Sequence, residues 1–460
     1  MIRCQLENVW RYLFVLLCST FAATLATSQL VPYLPLEAVE NWGAGPAAVG
    51  ISLSIVPAVC VVFTPICAIA CESFERFHIL SLSLFLLTAS LCVLSAASSI
   101  LAADVALSIQ GICSAAVSTI TLSSASVILP QNMALFVGLR EAALGLGNVA
   151  GPLIGGFLYE TGGMHLSCIC FAGGILLLTM TVIRMNCRTE AIVPSAPVQD
   201  TERLETPLCS SREKTPKKLF GPKLMLLLVS HCVSAVLASI ASGLMLPILA
   251  LEARDAFSAG PGLSGAVVAA SSAIYVVLSP LLGLMADRTA GHLVLLCGGC
   301  LLCSASLSLA APPYFVARGS KAHLACFTIG NSAMGAASAA ALVPILPHLV
   351  GSVPFTERRM QLKISGLCAM MFSLGDVLGP SAGGLAYKHI GFQATFFLAA
   401  AAMFAWAICL AAMAALGLLP WRSAALPGPS ELDGGCPSGP EEGLSAEAPA
   451  DERSRSGGLD

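Results

Sequence analysis

Two acidic residues stand inside stretches of the chain that are otherwise apolar. Glu141 lies eleven residues before Pro152 in one stretch, and Asp376 lies near the middle of another. Ionisable groups at membrane depth are costly and usually functional. Because a low dielectric favours the neutral form of a carboxyl group, such a residue can hold either a proton or a cation. The two acids therefore predict exchange of a cation for a proton, with Glu141 and Asp376 as the exchanging carboxylates.

Each acid also has a purely structural interpretation. Glu141 directly follows Arg140, so it can form an ion pair or lie at the membrane interface, and Asp376 can make a buried hydrogen bond. Two weaker candidates for the same site are Gln29 and His231, since an unperturbed imidazole changes charge between cytosolic and vesicular pH. Either residue can equally serve as a polar contact between helices.

Other kinds of chemistry find little support in the residues. The sequence contains no Walker loop, dinucleotide fingerprint or nucleophile–base arrangement, so we expect neither an enzyme nor an ATP-driven pump. Most of the 19 cysteines lie singly in apolar stretches, where Cys packs as a small hydrophobe. Cys297, Cys300 and Cys303 have helical spacing but no His or carboxylate beside them. We therefore expect no metal site and no cofactor.

Composition indicates which elements hold these residues. The chain is 56% hydrophobic and 11% charged, whereas a soluble domain has about 25% charged residues. Most of its surface must therefore face lipid. The sequence predicts an all-α integral membrane protein with twelve transmembrane helices, at 11–36, 46–70, 78–98, 104–129, 136–159, 165–185, 223–250, 262–286, 292–312, 324–347, 364–387 and 392–419.

Residues 11–36 also have the basic-then-apolar order of a signal peptide. Cleavage there would remove the counterpart of the helix that ends at Pro247, so we interpret them as a spanning helix.

The distribution of positive charge predicts the orientation. With the N-terminus in the cytoplasm, only four of the 23 Lys and Arg residues fall on the opposite side: Arg254, Arg318, Lys321 and Lys388. Cytoplasmic loops carry such an excess, so we expect both termini to be cytoplasmic. The net charge of -3 indicates no nucleic-acid partner.

Two polar segments divide the chain. Residues 186–222 are rich in basic residues, Pro and Ser, and predict a cytoplasmic linker between six-helix halves at 1–185 and 223–419. Residues 420–460 are rich in Pro, Gly, Ser and Glu, which cannot bury a core, so we expect a disordered cytoplasmic tail.

The two halves repeat each other in sequence. A glycine-rich motif in the predicted fifth helix recurs 228 positions later in the eleventh, where its residues are Gly147, Gly151, Pro152, Gly155, Gly156, Tyr159 and Gly163 against Gly375, Gly379, Pro380, Gly383, Gly384, Tyr387 and Gly391. Glycines four apart share one face and permit close helix packing, and Pro152 is expected to kink its helix. The motif predicts packing, and the bend can also gate a pathway. A duplicated membrane bundle is typical of transporters, which bind substrate between repeats.

A second motif lies in the loop GLMADRTAG at 283–291. Gly283 permits close packing at a helix end, Asp287 can cap a neighbouring helix, and Arg288 supplies cytoplasmic charge. The loop can be a simple turn, or it can latch one conformational state. Its counterpart in the first half is degraded, with Ala68, Glu72 and Ser73 at the matching positions.

Together these residues carry a family resemblance. The G-x-x-x-D-R loop and the GP-x-x-GG helix resemble the major facilitator superfamily. Glu141 followed by GLG, then GGFLYE at 155–160 and LSPLLGLMADR at 278–288, is similar to its vesicular amine transporter branch, and within it to the polyamine-type member. The resemblance covers about residues 10–420. The chain departs from that branch at Leu246 and His348, where the polyamine-type relative has acids.

The resemblance implies exchange of a cytosolic organic cation, an amine or polyamine, for lumenal protons across an acidic vesicle membrane. We expect a monomer that works by alternating access. The alternatives are a plasma-membrane drug/proton antiporter and, in another class, a non-transporting scaffold or receptor.

Overall fold

The computed structural model of the chain describes residues 2–34, 37–38, 41–43, 46–129, 132–189, 222–257, 261–311, 316–352 and 358–420. The regular elements in these ranges are helices: α1 (Ile2–Ser28), α2 (Pro46–Ser73), α3 (Arg76–Ser95), α4 (Ile100–Ile128), α5 (Met133–Thr189), α6 (Pro222–Phe257), α7 (Pro261–Thr289), α8 (His292–Ala310), α9 (Lys321–Leu342), α10 (Ile345–Gly351) and α11 (Arg358–Ala415). The predicted linker and tail lie outside the described residues except for 186–189, 222 and 420.

The described residues contain enough long apolar helix to cross a bilayer twelve times. They contain 11 apolar helical segments long enough to span, of which Met133–Met185 has 53 residues. At about 1.5 Å per residue that segment is far longer than the roughly 30 Å hydrocarbon layer, so it crosses twice. The prediction of an all-α protein with twelve transmembrane helices in two six-helix halves is confirmed. The first half of the chain comprises α1 to α5, and the second half comprises α6 to α11.

Two predicted boundaries differ from the structure. The first helix ends at Ser28 rather than near residue 36 and continues as turns. The predicted helix at 324–347 is divided into α9 and the short α10. Pro344 lies at that division, where its missing N–H interrupts the helical hydrogen bonds.

Because successive crossings alternate in direction, each end of the bundle has a consistent set of helix termini. We call the end that bears the start of α1, the end of α5 and the start of α6 the linker side, and the opposite end the far side. Large side chains such as Phe14, Phe157 and Phe404 are exposed on the outside of the bundle, where a bilayer would cover them.

The repeated glycines join corresponding helix pairs in the two halves. In the first half they bring α5 against α1: a Cβ at Gly147 would lie 2.8 Å from Thr24 Cβ, and one at Gly155 would lie 2.8 Å from Gln29 O. In the second half they bring α11 against α6, where a Cβ at Gly379 would lie 3.0 Å from Gly243 Cα. Gly156 and Gly384 are more open, with no neighbour closer than 4.0 Å to a Cβ built there.

Two glycines form the reversal between the two spanning parts of α5. Helical geometry continues through Pro152, and the non-helical residues within α5 are Gly162 and Gly163. Gly163 has φ 68° and its repeat partner Gly391 has φ 81°, a region that favours residues without a Cβ. This tight reversal needs positive φ and lies in the gap predicted between the helices at 136–159 and 165–185, whereas the kink at Pro152 stays a prediction.

Candidate functional site: a polar cavity between the halves

A cavity of about 140 Å³ lies where four helices of the first half meet α11 of the second. Most of its polar lining consists of hydroxyl groups, and its charged groups are those of Arg140 and Asp376. Three threonines line it from a single face of α1, at Thr20, Thr24 and Thr27. The lining residues of α2, α4, α5 and α11 fall inside their spanning segments, so the cavity lies in the interior of the bundle. Its position between the repeats is the one that transporter substrates occupy.

Asp376 presents a free carboxylate to this cavity. Its side chain is exposed to the cavity space, and among the described residues it has no hydrogen-bond partner. Arg140 and Glu141 are close enough to interact with it electrostatically. The neighbouring Gly375 anchors this part of α11 by packing against Val236 and Ser239 of α6. The buried structural hydrogen bond that the sequence allows for Asp376 is not seen among these residues, and its role in exchange stays a prediction.

Glu141 lies outside the cavity lining, next to Arg140. Its Oε1 forms an ion pair with Arg140, and its Oε2 accepts a hydrogen bond from the Tyr275 hydroxyl at 2.6 Å. Arg140 also donates to Ser118 Oγ at 3.1 Å, while its buried Nε has no partner among the described residues. The ion pair anticipated from the sequence is therefore present. The role of Glu141 in exchange stays a prediction.

Gln29 is fully buried outside the cavity lining. Its Oε1 accepts hydrogen bonds from Tyr33 at 3.2 Å and from Ser167 at 3.1 Å, and Gly155 packs against its backbone. These contacts join the end of α1 to the parts of α5 before and after Gly163. Gln29 therefore serves here as a polar contact between helices. Its proposed role in the substrate site stays a prediction that the geometry does not favour.

His231 lies away from the cavity, in a cluster of three buried histidines on the linker side. Its Nδ1 is 2.9 Å from Leu227 O, so Nδ1 carries the hydrogen and Nε2 accepts from His348 Nδ1 at 3.0 Å. The ring of His292 stacks on His348 with centroids 5.8 Å apart. All three rings fit this arrangement as neutral imidazoles. Within the described ranges, no three His, Cys, Asp or Glu residues are arranged to hold a metal ion.

The predicted gating loop meets the other half on the linker side. Asp287 accepts hydrogen bonds from Ala134 N at 2.9 Å and Leu135 N at 2.7 Å, and so caps the start of α5. Gly283 packs directly against the backbone of Ala134, whereas Arg288 is exposed. In the degraded counterpart of this loop, Ala68 of α2 packs against Gly366 of α11. The halves are thus in contact on the linker side along α5–α7 and α2–α11.

Two residues of this site were missed from the sequence. Arg140 was considered only as a partner of Glu141, although it also lines the cavity. Tyr275 was not considered, because a hydroxyl in an apolar helix gives no sign of a partner 134 residues away. The threonine spacing of four and then three on α1 was a usable signal, since such residues share one helical face.

Comparisons with known proteins agree with this architecture. The family model described as Major Facilitator Superfamily matches residues 16–235 and 231–432. The crystal structure of the human organic anion transporter MFSD10 (TETRAN) superposes with a TM-score of 0.66, covering 87% of this chain and 99% of that one. At 16% identity, this likeness shows the fold alone.

Two kinds of curated relative are similar in sequence. The MFS-type transporter SLC18B1 is 29% identical over 272 residues in Mus musculus, which is 57% of this chain and 54% of that protein. The Homo sapiens protein of that name is 28% identical over 286 residues, covering 61% and 57%. The match thus spans little more than half the length of these relatives. The multi-drug resistance efflux pump PmrA of Streptococcus pneumoniae serotype 4 is 22% identical over 421 residues, covering 88% and 94%. The relatives that the chain matches are named as transporters and efflux pumps rather than as enzymes. The chain belongs to the Major Facilitator Superfamily, and it is a multi-pass membrane protein.

Proposed function

We propose that the protein is a proton-coupled antiporter that moves an organic cation, an amine or polyamine, across a vesicle membrane by alternating access. The observation that carries the proposal is the free carboxylate of Asp376 in a polar cavity between the halves. An anionic group at membrane depth attracts either a cationic amine or a proton. The similarity to SLC18B1 and the resemblance to vesicular amine transporters support an amine as the cation.

The exchange follows from competition for one negative charge. When Asp376 is ionised it binds the amine, and when it is protonated the amine leaves. A higher proton concentration in the vesicle lumen therefore favours release there and proton return to the cytosol. Arg140 opposes a cation at Asp376 from across the cavity, which keeps binding weak enough for release.

The charge distribution supports a cytosolic linker side with both termini in the cytosol. In the present arrangement Asp287 joins the halves on the linker side, and we assign the far side to the lumen. Rocking of the halves would break the α5–α7 contact and expose Asp376 to the cytosol. Each half retains its internal packing in this motion, so a monomer suffices.

A second candidate is a plasma-membrane drug/proton antiporter. It is favoured by the similarity to the efflux pump PmrA, which extends over 88% of the chain. The same cavity and carboxylate would serve both functions. Imaging of the tagged full-length protein separates them, because the first candidate predicts acidic vesicles and the second the cell surface.

Uptake into proteoliposomes tests the proposal. Purified protein is reconstituted with an acidic interior, and radiolabelled serotonin and spermidine are offered outside. We expect the wild type to accumulate at least one probe, dissipation of the pH gradient to abolish accumulation, and Asp376→Asn to lose it. Glu141→Gln is measured in parallel with Asp376→Asn. We expect a smaller effect from it, because the part of Glu141 in exchange is less direct.

Asp104→Asn is the matched control. Asp104 is also a carboxylate in a spanning helix, but it lies outside the cavity lining and accepts a hydrogen bond from Ser52 at 2.5 Å. Unchanged uptake in the double variant Glu141→Gln, Asp376→Asn would refute the assignment of these carboxylates. No gradient-dependent flux of any amine would favour the non-transporting scaffold.

A further inference from the structure

A hydrogen bond beside the cavity joins the two halves. The Tyr275 hydroxyl of α7 donates to Glu141 Oε2 of α5 at 2.6 Å. The other oxygen of Glu141 holds Arg140, which lines the cavity together with Asp376. A continuous set of polar contacts therefore leads from the cavity wall in the first half to α7 in the second.

Tyr275 reaches Glu141 only while α5 and α7 keep their present register. Gly145, one turn after Glu141, lies so close to α7 that a Cβ there would be 3.2 Å from Tyr275 Cδ1 and 2.7 Å from Val276 Cγ2. Asp287 fixes the same helix pair at its linker-side end. When the halves separate on the linker side, as alternating access requires, the bond between Tyr275 and Glu141 must break.

Arg140 has more donors than its partners use. Its guanidinium binds Glu141 and Ser118, but its buried Nε has no partner among the residues that the structure describes. Asp376 lies close enough to interact with both Arg140 and Glu141. Two carboxylates therefore compete for one guanidinium, and the less neutralised of the two is the better site for a cation.

We propose that Tyr275 is a positioning residue that makes the cation affinity of the cavity depend on which side is open. With the linker side closed, Tyr275 satisfies one oxygen of Glu141, and Arg140 is left to oppose a cation at Asp376. With the linker side open, Glu141 loses this donor and draws Arg140 away from Asp376. The cavity then binds a cation tightly from the linker side and releases it on the far side. This inference rests on the proposed function and deepens it, because it names what favours release.

The test compares affinity on the two sides of the membrane. Tyr275→Phe removes the hydroxyl and keeps the ring. Full-length protein is reconstituted, and the half-saturating concentration of radiolabelled serotonin or spermidine, whichever the wild type accumulates, is measured for uptake from the linker side and efflux from the far side. We expect the uptake value to stay within about twofold. The efflux value should fall about tenfold, the size expected for losing one hydrogen bond to a charged group.

Tyr12→Phe is the matched control, because the Tyr12 hydroxyl lies 3.4 Å from Ser124 Oγ within the first half. It should change neither value. Equal shifts on both sides in Tyr275→Phe, or a lower maximal rate with both affinities unchanged, would show a merely structural role and overturn the inference. Should Tyr275→Phe not be recovered folded, Gly145→Ala displaces the Tyr275 ring without removing its hydroxyl and must show the same asymmetry.

The wild-type measurement separates the two proposals. If the wild type accumulates neither probe under a pH gradient, the proposed function fails and this inference fails with it. If the wild type accumulates a probe but Tyr275→Phe shows no asymmetry, only the inference about Tyr275 fails.

Discussion

At the scale of single residues, two carboxylates that look alike in the sequence have different surroundings. Asp376 faces the cavity without a hydrogen bond from the described residues, whereas Glu141 is held by Arg140 and Tyr275. A carboxylate with satisfied oxygens has less capacity to bind a passing cation. Asp376 is therefore the better exchange site, and Glu141 is better placed to control Arg140.

The glycines of the repeated motif can be tested one at a time. Gly151→Ala should destabilise the protein by about 1–3 kcal/mol, the usual cost of overpacking, because its Cβ would lie 2.9 Å from Gln29 N and collide with Ser28 Oγ. Gly173→Ala is the control in the same helix, since a Cβ there has nothing within 4 Å. It should be neutral or stabilising, because Ala favours helix. Thermal unfolding of the detergent-solubilised protein measures both, and equal effects would refute the packing argument.

At the scale of elements, α5 connects most of the functional features. Its start is capped by Asp287 of the other half, its next turns carry Arg140 and Glu141, and its glycines pack on α1. The reversal at Gly163 then directs its second arm back across the bilayer. A shift of α5 relative to α7 therefore changes the linker-side contact and the cavity wall together.

The cap on α5 makes a prediction about local opening. Asp287→Ala removes two hydrogen bonds from the start of α5, a loss of about 1 kcal/mol that corresponds to roughly fivefold more frequent opening. Hydrogen exchange should therefore rise in residues 133–140. Thr289→Ala is the control, because among the described residues the Thr289 hydroxyl bonds only to Met285 and Gly291 of its own segment. If exchange at the start of α5 is the same in both variants, Asp287 does not hold the linker side closed.

How far the sequence predicts the structure depends on whether the information is local. The twelve crossings follow from runs of apolar residues, and the glycine face follows from the spacing of glycines along one helix. Both features are therefore predictable from the sequence. The partners of Glu141 and His231 lie 134 and 117 residues away, and no local pattern encodes them. Gly163 and Gly391 were visible as a repeat, but a repeat does not reveal a positive φ.

At the scale of the whole molecule, the two halves share their glycine packing and differ in their charges. Asp376 occupies the position of Asn148 in the repeat, and Arg140 corresponds to Cys368. The described halves thus pack their helices in a similar way. They differ at the cavity, where the second half supplies the acid Asp376 and the first half supplies the base Arg140. This asymmetry supplies one carboxylate that accepts no hydrogen bond from the described residues, so the proposed exchange requires a proton and a cation to share Asp376.

Proton release on binding tests that claim most directly. Purified protein in weakly buffered detergent solution with a pH indicator is mixed with saturating serotonin or spermidine, and binding is followed in parallel with radiolabelled probe. We expect the wild type and Asp104→Asn to release protons as the amine binds, and Asp376→Asn to release none. Amine binding to the wild type without proton release, or equal release from Asp376→Asn, would contradict the claim.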